Sequence, residues 1–209
     1  MNELEAVNIL LSVIGEAPID SLSDITVNEI TDSALARKTL LETSRDVQSE
    51  GWSWNTDNGV QLAMDSSNEV KVPGTALSVV ISGSDYDQMQ YVVRGSRVYD
   101  RNRQTYDLSE SLGDGPLYVN QMVSLLAWDE LPHAAQQYIV IRAARIYSDR
   151  YLNSNAIYVY TTGDEQYARS MLLRAEERSG GDNLLYGNDL GIGQGISYLP
   201  AKGLQYRRN

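Results

Sequence analysis

The chain changes from helical to strand patterning within nine residues, Val47-Gln48-Ser49-Glu50-Gly51-Trp52-Ser53-Trp54-Asn55. Gly51 is typical of a helix end, and the apolar residues after it recur with a period of two. Trp52 and Trp54 are spaced two positions apart, which places both indoles on one side of an extended chain. We predict that they close a core where the helix passes into a strand. A stacking platform for sugars or bases is the alternative.

Two helices are predicted before this stretch. The first carries an apolar stripe and ends at Gly15, followed by Pro18. The second runs from about residue 28 to residue 50, with Asn28 or Thr31 as its cap. The apolar positions are Leu4, Val7, Leu11 and Ile14 in the first helix and Leu40, Val47, Ala34, Leu35 and Leu41 in the second.

Residues 55–127 read as short strands separated by turn-forming residues. Gly95-Ser96 between Arg94 and Arg97 predicts a two-residue hairpin turn of type II′. The predicted strands cover residues 60–64, 76–81, 90–94, 97–99 and 116–123.

Helical periodicity returns at Leu131-Pro132, where proline suits the first position of a helix. A last helix is predicted over residues 164–178. Residues 179–209 hold seven of the sixteen glycines and have no period, so they need a partner surface to become ordered. The predicted buried positions are Ala135, Tyr138, Ile139, Ala143, Ile146 and Tyr147 in the first of these helices and Tyr167, Met171, Leu172 and Ala175 in the last.

The sequence therefore predicts an α+β protein. An antiparallel helical bundle is formed by residues 1–54 and 128–178, with a small antiparallel β-rich module inserted at 55–127. An extended glycine-rich C-terminal tail follows at 179–209.

Composition excludes several kinds of chemistry. The 209 residues include no cysteine and one histidine, His133, so thiol nucleophiles, disulfides and sites with several histidine or cysteine ligands are excluded. We interpret His133 as a surface residue at a helix start. The 28 acidic residues offer many carboxylate pairs, and none has a spacing that marks it as catalytic. We therefore expect no enzyme activity, no cofactor and no metal.

The sequence also lacks the patterns of a dinucleotide-binding site, a secretory signal and a membrane span. Gly191-Ile192-Gly193-Gln194-Gly195 lacks the strand before it and the helix after it that a dinucleotide site requires. The acidic N-terminus does not resemble a secretory signal, and no apolar run approaches the roughly 20 residues of a membrane span. We expect synthesis and assembly in a cytosol, without a membrane partner.

The net charge of −11 is unevenly distributed. Residues 1–34 carry seven acids and no base, whereas Arg94, Arg97, Arg101 and Arg103 are interleaved with tyrosines. This arginine–tyrosine hairpin could contact nucleic acid or an acidic protein surface. Because an excess of acid disfavours a protein that coats nucleic acid, we favour the protein partner.

Several landmarks together resemble the podophage tail tubular protein A family, the tail adaptors. They begin with Ala6-Val7-Asn8 and Ile14-Gly15-Glu16 and continue with Gln48-Ser49, Gly51-Trp52 and Asn55. Val98-Tyr99-Asp100-Arg101, Asp129-Glu130-Leu131-Pro132 and Gly180-Gly181 follow in the same order. The resemblance covers residues 1–55 and 128–185 well and is thin over the strand module.

The resemblance implies a structural virion protein without enzyme activity, with a helical bundle that carries a β-rich insertion. It implies an adaptor ring, expected to be twelvefold, between the portal protein and the tail nozzle protein, with DNA passing through without specific binding. A virion-associated polysaccharide or peptidoglycan hydrolase and a nucleic-acid-binding protein are the alternatives. The candidate partner-binding residues are Arg94, Arg97, Tyr99, Arg101, Arg103, Leu184, Leu185, Tyr198, Tyr206, Arg207 and Arg208.

Overall fold

Helices and antiparallel strands occur in separate parts of the chain, in a computed structural model that describes residues 1–25, 31–81, 90–113, 115–152 and 161–179. The predicted α+β class is confirmed. The helices are α1 (Glu3–Val13), α2 (Asp32–Gln48), α3 (Ser109–Leu112), α4 (His133–Leu152) and α5 (Thr162–Ser179). The strands are β1 (Thr56–Leu62), β2 (Ala76–Ile81), β3 (Tyr91–Arg94), β4 (Arg97–Asp100) and β5 (Leu117–Ser124).

A capping box starts α1. The Glu5 amide donates to Asn2 Oδ1 at 2.8 Å, and the Asn2 amide donates to Glu5 Oε2 at 3.0 Å. Gly15 follows the end of α1 with φ 82°, a left-handed conformation typical of a residue that ends a helix, as predicted. The predicted stripe was only partly correct, because α1 packs against both α2 and α4 and therefore buries a wider face. Val7 and Leu11 are buried as predicted, together with Ala6, Leu10 and Val13.

Thr31 caps α2 through its hydroxyl, which accepts from the Ala34 amide at 3.2 Å. Asn28, the other predicted cap, lies outside the described residues. Leu40 and Val47 are fully buried as predicted. The prediction for Leu41 was wrong: its side chain is 44% exposed, since α1 and α4 pack on the other side of α2.

Helix α4 lies at the centre of the bundle, in contact with α1, α2 and α5. Tyr138, Ile139 and Tyr147 are among its fully buried residues. The Tyr147 hydroxyl donates to the Asp32 carbonyl at 2.9 Å, and burial, then the nearby acids, raises its pKa to about 12. The helix begins at His133, one residue after the proline that was predicted to open it.

Only part of the predicted apolar side of α5 is buried. Leu172 is buried as predicted, but Tyr167 is 67% exposed and Met171 is 42% exposed, so those two predictions were wrong. Ala168 and Leu172 belong to the core of the bundle, and ion pairs join α5 to its neighbours. Arg169 binds both carboxylate oxygens of Glu50, at 2.8 and 3.0 Å, and Arg145 on α4 pairs with Glu165.

The strands form two antiparallel sheets, with β5 between β1 and β2 in one and β3 paired with β4 in the other. Each predicted strand is present. The first strand begins earlier in the chain than predicted, because its pairing with β5 already starts at Thr56, opposite Val123. Gly95 adopts φ 63° and Ser96 does not have a positive φ, which agrees with the predicted type II′ turn.

A second buried cluster, separate from that of the bundle, fills the strand-bearing part. It consists of Leu62, Val70, Val72, Val98, Leu108, Leu117, Val119 and Met122. Separate cores agree with an inserted module, and the division into domains at residues 54 and 128 stays a prediction.

Gln48 joins the two parts of the molecule. Its side chain is fully buried. The Leu126 amide donates to Gln48 Oε1 at 2.8 Å, and Gln48 Nε2 donates to the Leu126 carbonyl at 3.2 Å. Asn55 completes the contact: its Nδ2 donates to the carbonyls of Gln48 and Ser124, at 2.9 and 3.0 Å. The chain therefore leaves the bundle and returns to it at one place. We call this place, residues 48–55 with 124–126, the joint.

Trp52 of the joint lies in the core of the bundle, as predicted, and Trp54 is half-buried against that core. Trp52 Nε1 donates to the Val47 carbonyl at 2.7 Å, and the Trp52 amide donates to Asn55 Oδ1 at 2.8 Å. The indoles of Trp52 and Trp54 stack with centroids 6.3 Å apart and planes 9° from parallel. Residues Ser53–Asn55 form a 3₁₀ turn and not the start of a strand.

Substituting Gln48→Met retains the volume of the side chain but removes its hydrogen bonds. Both backbone groups of Leu126 then lose their partners, so we expect a loss of about 2 to 4 kcal/mol in the free energy of unfolding. Urea denaturation followed by tryptophan fluorescence measures this. The exposed neighbour provides the control Ser49→Ala, and equal stability of the two variants would contradict the role of the joint.

Candidate partner-binding hairpin

The register of the β3–β4 hairpin places two of the predicted arginines on one face. Arg94 lies opposite Arg97, and Val92 lies opposite Tyr99. Since residues two apart share a face of a strand, Arg94, Arg97 and Tyr99 point to the same side. The other side carries Val93 and Val98, which pack into the core of the strand-bearing part. The hydrophobic side thus determines which side presents the arginines.

Stacking on tyrosine rings holds two of these guanidinium groups. Arg94 Cζ lies 3.8 Å from the centroid of the Tyr99 ring, and Arg97 Cζ lies 4.1 Å from that of Tyr106. The two rings meet edge to face, with centroids 4.9 Å apart. We call these four residues the Arg–Tyr cluster. Cation–π contact restricts the arginine side chains, and this lowers the entropic cost of binding a partner.

Acidic side chains divide the arginines into two kinds. Arg97 pairs with Glu69 at 2.8 Å, and Arg103 lies 3.3 Å from Glu110 and also donates to the Ser111 hydroxyl. Within the described ranges, Arg94 and Arg101 are exposed and make no ion pair. These two are therefore the arginines best placed to meet an external carboxylate.

Backbone pairing anchors the hairpin to the residues before it. The Val98 amide donates to the Val70 carbonyl at 3.0 Å, and the Val72 amide donates to the Ser96 carbonyl at 2.9 Å. Lys71, between these two valines, pairs with Asp65 at 2.6 Å. This hydrogen bond with Lys71, and then backbone donors, lowers the pKa of Asp65. The hairpin is consequently held by its apolar face and along one edge.

Asp100 organises the loop that follows the hairpin. The side chain is fully buried at the end of β4. Its Oδ1 accepts from the amides of Asn102 and Arg103 at 2.8 and 3.0 Å, and its Oδ2 accepts from Gln90 Nε2 and the Ser111 hydroxyl at 2.9 and 2.7 Å. Burial favours a higher pKa, but these four donors outweigh it and lower the pKa of Asp100.

In the sequence, Asp100 is recognised only as part of the Val98-Tyr99-Asp100-Arg101 landmark, which predicts no structural role for its side chain. The amides of Asn102 and Arg103 turning back onto an aspartate are an Asx turn, which the residues Asp100-Arg101-Asn102 could have indicated. Gln90 and Ser111 lie ten and eleven residues away, and no local pattern marks them as partners.

The remaining predicted binding residues belong to the tail and lie outside the described residues. They are Leu184, Leu185, Tyr198, Tyr206, Arg207 and Arg208. His133 is the exposed first residue of α4, as predicted.

No catalytic or metal-binding arrangement emerges from the parts of the chain that the structure describes. No group of three or more histidine, cysteine, aspartate or glutamate residues there could hold a metal ion. The shifted carboxyl groups Asp65, Asp100, Asp107 and Asp164 all have lowered pKa values. None of the helices searched in those ranges has the length and apolarity to cross a membrane.

Comparison with known proteins agrees with the resemblance seen in the sequence. A family model described as tail tubular protein matches residues 4–182. The chain is also similar to Tail tubular protein A of Klebsiella phage KP34, at 29% identity over 181 residues, which are 86% of this chain and 89% of that protein. Both the bundle and the strands fall within the matched residues. The match defines the chain as a structural protein of a bacteriophage tail. The chain belongs to the tail tubular protein family.

Replacing Asp100→Asn leaves the size of the side chain unchanged but places a donor where the buried site provides only donors. We expect a loss of about 1 to 3 kcal/mol in the free energy of unfolding, measured by urea denaturation at neutral pH. Asp57→Asn, an exposed change on β1, is the control. A stability change no larger than that of the control would refute the role given to Asp100.

Lowering the pH should reduce the difference in stability between the wild type and Asp100→Asn. The folded-state pKa of Asp100 lies below the ordinary value of 3.8, so the carboxylate contributes its full stabilisation above that value. The contribution is lost as the pH falls through the folded-state pKa. Denaturation curves at successively lower pH should therefore bring the stability of the wild type towards that of Asp100→Asn.

Proposed function

We infer that this protein is the tail adaptor of a short-tailed bacteriophage. Copies of the chain assemble in the host cytoplasm into a ring, expected to be twelvefold, between the portal protein and the tail nozzle protein. The ring forms part of the channel through which DNA is ejected, without binding it specifically. The observation that carries this proposal is the family match over residues 4–182, together with the resemblance to the adaptors.

The Arg–Tyr cluster and Arg101 form the surface for the nozzle protein. A partner with an acidic surface fits Arg94 and Arg101, the two exposed arginines of the hairpin that make no ion pair with any residue the structure describes. Such charged contacts give specificity and fast association more than raw affinity.

A nucleic-acid partner fits this surface less well. Guanidinium groups cover one face of each ring of the cluster, and the rings also contact each other, which leaves little ring surface for base stacking. Glu69 and Glu110 neutralise Arg97 and Arg103, so few cations remain for phosphates. DNA retention that weakens steeply with salt and depends on the hairpin would favour nucleic acid instead.

The tail meets the portal protein in this proposal. Residues 179–209 contain Leu184, Leu185, Tyr198 and Tyr206 among glycines, and Arg207 and Arg208 near the end. Apolar side chains spaced by glycine can follow the contour of a partner surface, and the arginines can bind its carboxylates.

The hydrolase alternative receives no support from the described carboxyl groups. Glycoside hydrolysis needs an acid with a raised pKa near neutrality, and the shifts found here are downward. Release of saccharide from cell-wall or capsule substrate by the purified protein would restore this alternative.

Reversing charge at the two exposed arginines, Arg94→Glu with Arg101→Glu, should weaken attachment of the nozzle protein at least tenfold, a cost of about 1.4 kcal/mol or more. Binding is measured between the purified proteins by calorimetry. The control Arg45→Glu makes one charge reversal on the exposed side of α2. Unchanged nozzle binding by the double variant would exclude the hairpin as this surface.

Deleting residues 186–209 should abolish or strongly weaken binding to purified portal protein, because it removes the arginines and most apolar residues of the tail. Native mass spectrometry of the mixture measures the complex. Nozzle binding by the same truncated protein is the control for folding. If portal binding survives the deletion, another surface contacts the portal.

A further inference from the structure

Helix α5 is attached to the bundle mainly by polar contacts. Of its 18 residues only Ala168 and Leu172 are buried, whereas seven of the 17 residues of α2 are buried. Glu165 and Arg169 form ion pairs with the rest of the bundle, and both come before Leu172 in the chain. Because partly exposed ion pairs contribute little stability, and because so few side chains are buried, α5 is held less firmly than α2.

Beyond Leu172 the helix contacts the joint. None of residues 173–178, all of which the structure describes, is buried. The Ser53 amide donates a hydrogen bond to Glu176 Oε1 at 2.5 Å, and the Glu176 side chain is half-buried. Ser53 is the first residue of the 3₁₀ turn of the joint. We call residues 173–178 the latch.

The attached latch leaves buried polar atoms without hydrogen bonds. Among the described residues these atoms are Trp54 Nε1, Thr56 Oγ1 and Glu176 Oε2. All three belong to the latch or to the residues that follow Ser53. A buried polar group without a partner costs free energy, so the Glu176 carboxylate gains one hydrogen bond in the attached state and loses the hydration of its other oxygen. Detachment would return this oxygen to water.

The joint connects the latch to the strands. Asn55, two residues after Ser53, donates from Nδ2 to the carbonyl of Ser124 at the end of β5. Strand β1 begins at the next residue, Thr56. A movement of the 3₁₀ turn therefore reaches both β1 and β5, and through them the part of the molecule that carries the hairpin.

We propose that the latch detaches from the joint while the rest of the bundle stays folded, and that a partner bound to the tail selects the detached state. The tail follows the latch directly, at residue 179. A partner shifts such an equilibrium only through contacts that differ between the two states. Ala175 and Glu176 are half-buried in the attached state, so they become fully available to a partner only on detachment. This inference rests on the contact between tail and portal in the proposed function.

Hydrogen exchange followed by NMR tests the latch in the full-length protein. Glu176→Met removes the acceptor of the Ser53 amide but retains the approximate size of the side chain. We expect the amides of residues 174–178 and of Asn55 to exchange about tenfold faster, and together, while those of α4 keep their rates. Glu177→Met, an exposed change at the next position, is the matched control and should leave the Asn55 amide unchanged.

Two results of this experiment would overturn the latch. Faster exchange in residues 174–178 with no change at Asn55 would indicate ordinary fraying of a helix end. Equal acceleration of α4 would show that the bundle opens as one unit.

A crosslink tests the choice of state by the partner. The chain has no cysteine, so Ser53→Cys with Glu176→Cys introduces one thiol on each side of the contact. A short thiol-to-thiol crosslinker then fixes the latch in the attached state. We expect the crosslinked protein to bind purified portal protein about tenfold more weakly than the same double variant before crosslinking. Ser53→Cys treated with the same reagent controls for the modification, and equal or tighter binding after crosslinking would contradict selection of the detached state.

The two experiments separate this inference from the proposed function. If the unmodified protein does not bind portal protein, the adaptor role and the partner's effect on the latch are both contradicted, and the exchange rates still decide whether the latch opens. If portal protein binds and the exchange of Asn55 does not depend on Glu176, only the latch is contradicted.

Discussion

A single buried amide determines how the two halves of this molecule are connected. An inserted module requires the chain to leave the bundle and return at one place, and Gln48 pairs there with both backbone groups of Leu126. Asn55 then binds the carbonyls on either side of the crossing. The pairing of β1 with β5 begins one residue later, at Thr56 and Val123. Because buried backbone groups lose much free energy when unpaired, these hydrogen bonds stabilise the junction at which the strands leave the bundle.

The candidate binding surface depends on the joint through the second core. The joint places β1 and β5, their apolar side forms the second core, and Val93 and Val98 attach the hairpin to that core. The outward side then has to be polar, and there the tyrosine rings keep the guanidinium groups of Arg94 and Arg97 in place. Asp100 fixes the loop that carries Arg101. A surface made in this way is rigid before it binds, which lowers the entropic cost of association.

Local patterns predicted the elements of the fold well, since helical and strand periods depend on neighbours in the chain. They failed where contact with a second helix or strand decides which side chains are buried or paired. The burial of α1 depends on two adjacent helices, and α5 buries Ala168 and Leu172 in the core of the bundle, which leaves Tyr167 and Met171 exposed. In the hairpin, the predicted Gly95-Ser96 turn places Arg94 opposite Arg97. Which arginines pair with the described acidic residues could not be predicted, because Glu69 lies 28 residues from Arg97. The partner of Gln48 is 78 residues away.

The residues that carry the family resemblance have structural tasks in this chain. Asn8 holds the loop after α1 through the backbone of Ile19, Gln48 and Asn55 form the joint, and Asp100 closes the loop beyond β4. Each is a polar side chain that satisfies backbone groups, and such tasks tolerate few replacements. A resemblance that rests on these residues therefore identifies the fold and does not indicate a chemical activity. The outward face of the hairpin lies outside this framework except at Tyr99 and Arg101, so it can be adapted to a partner without altering the joint.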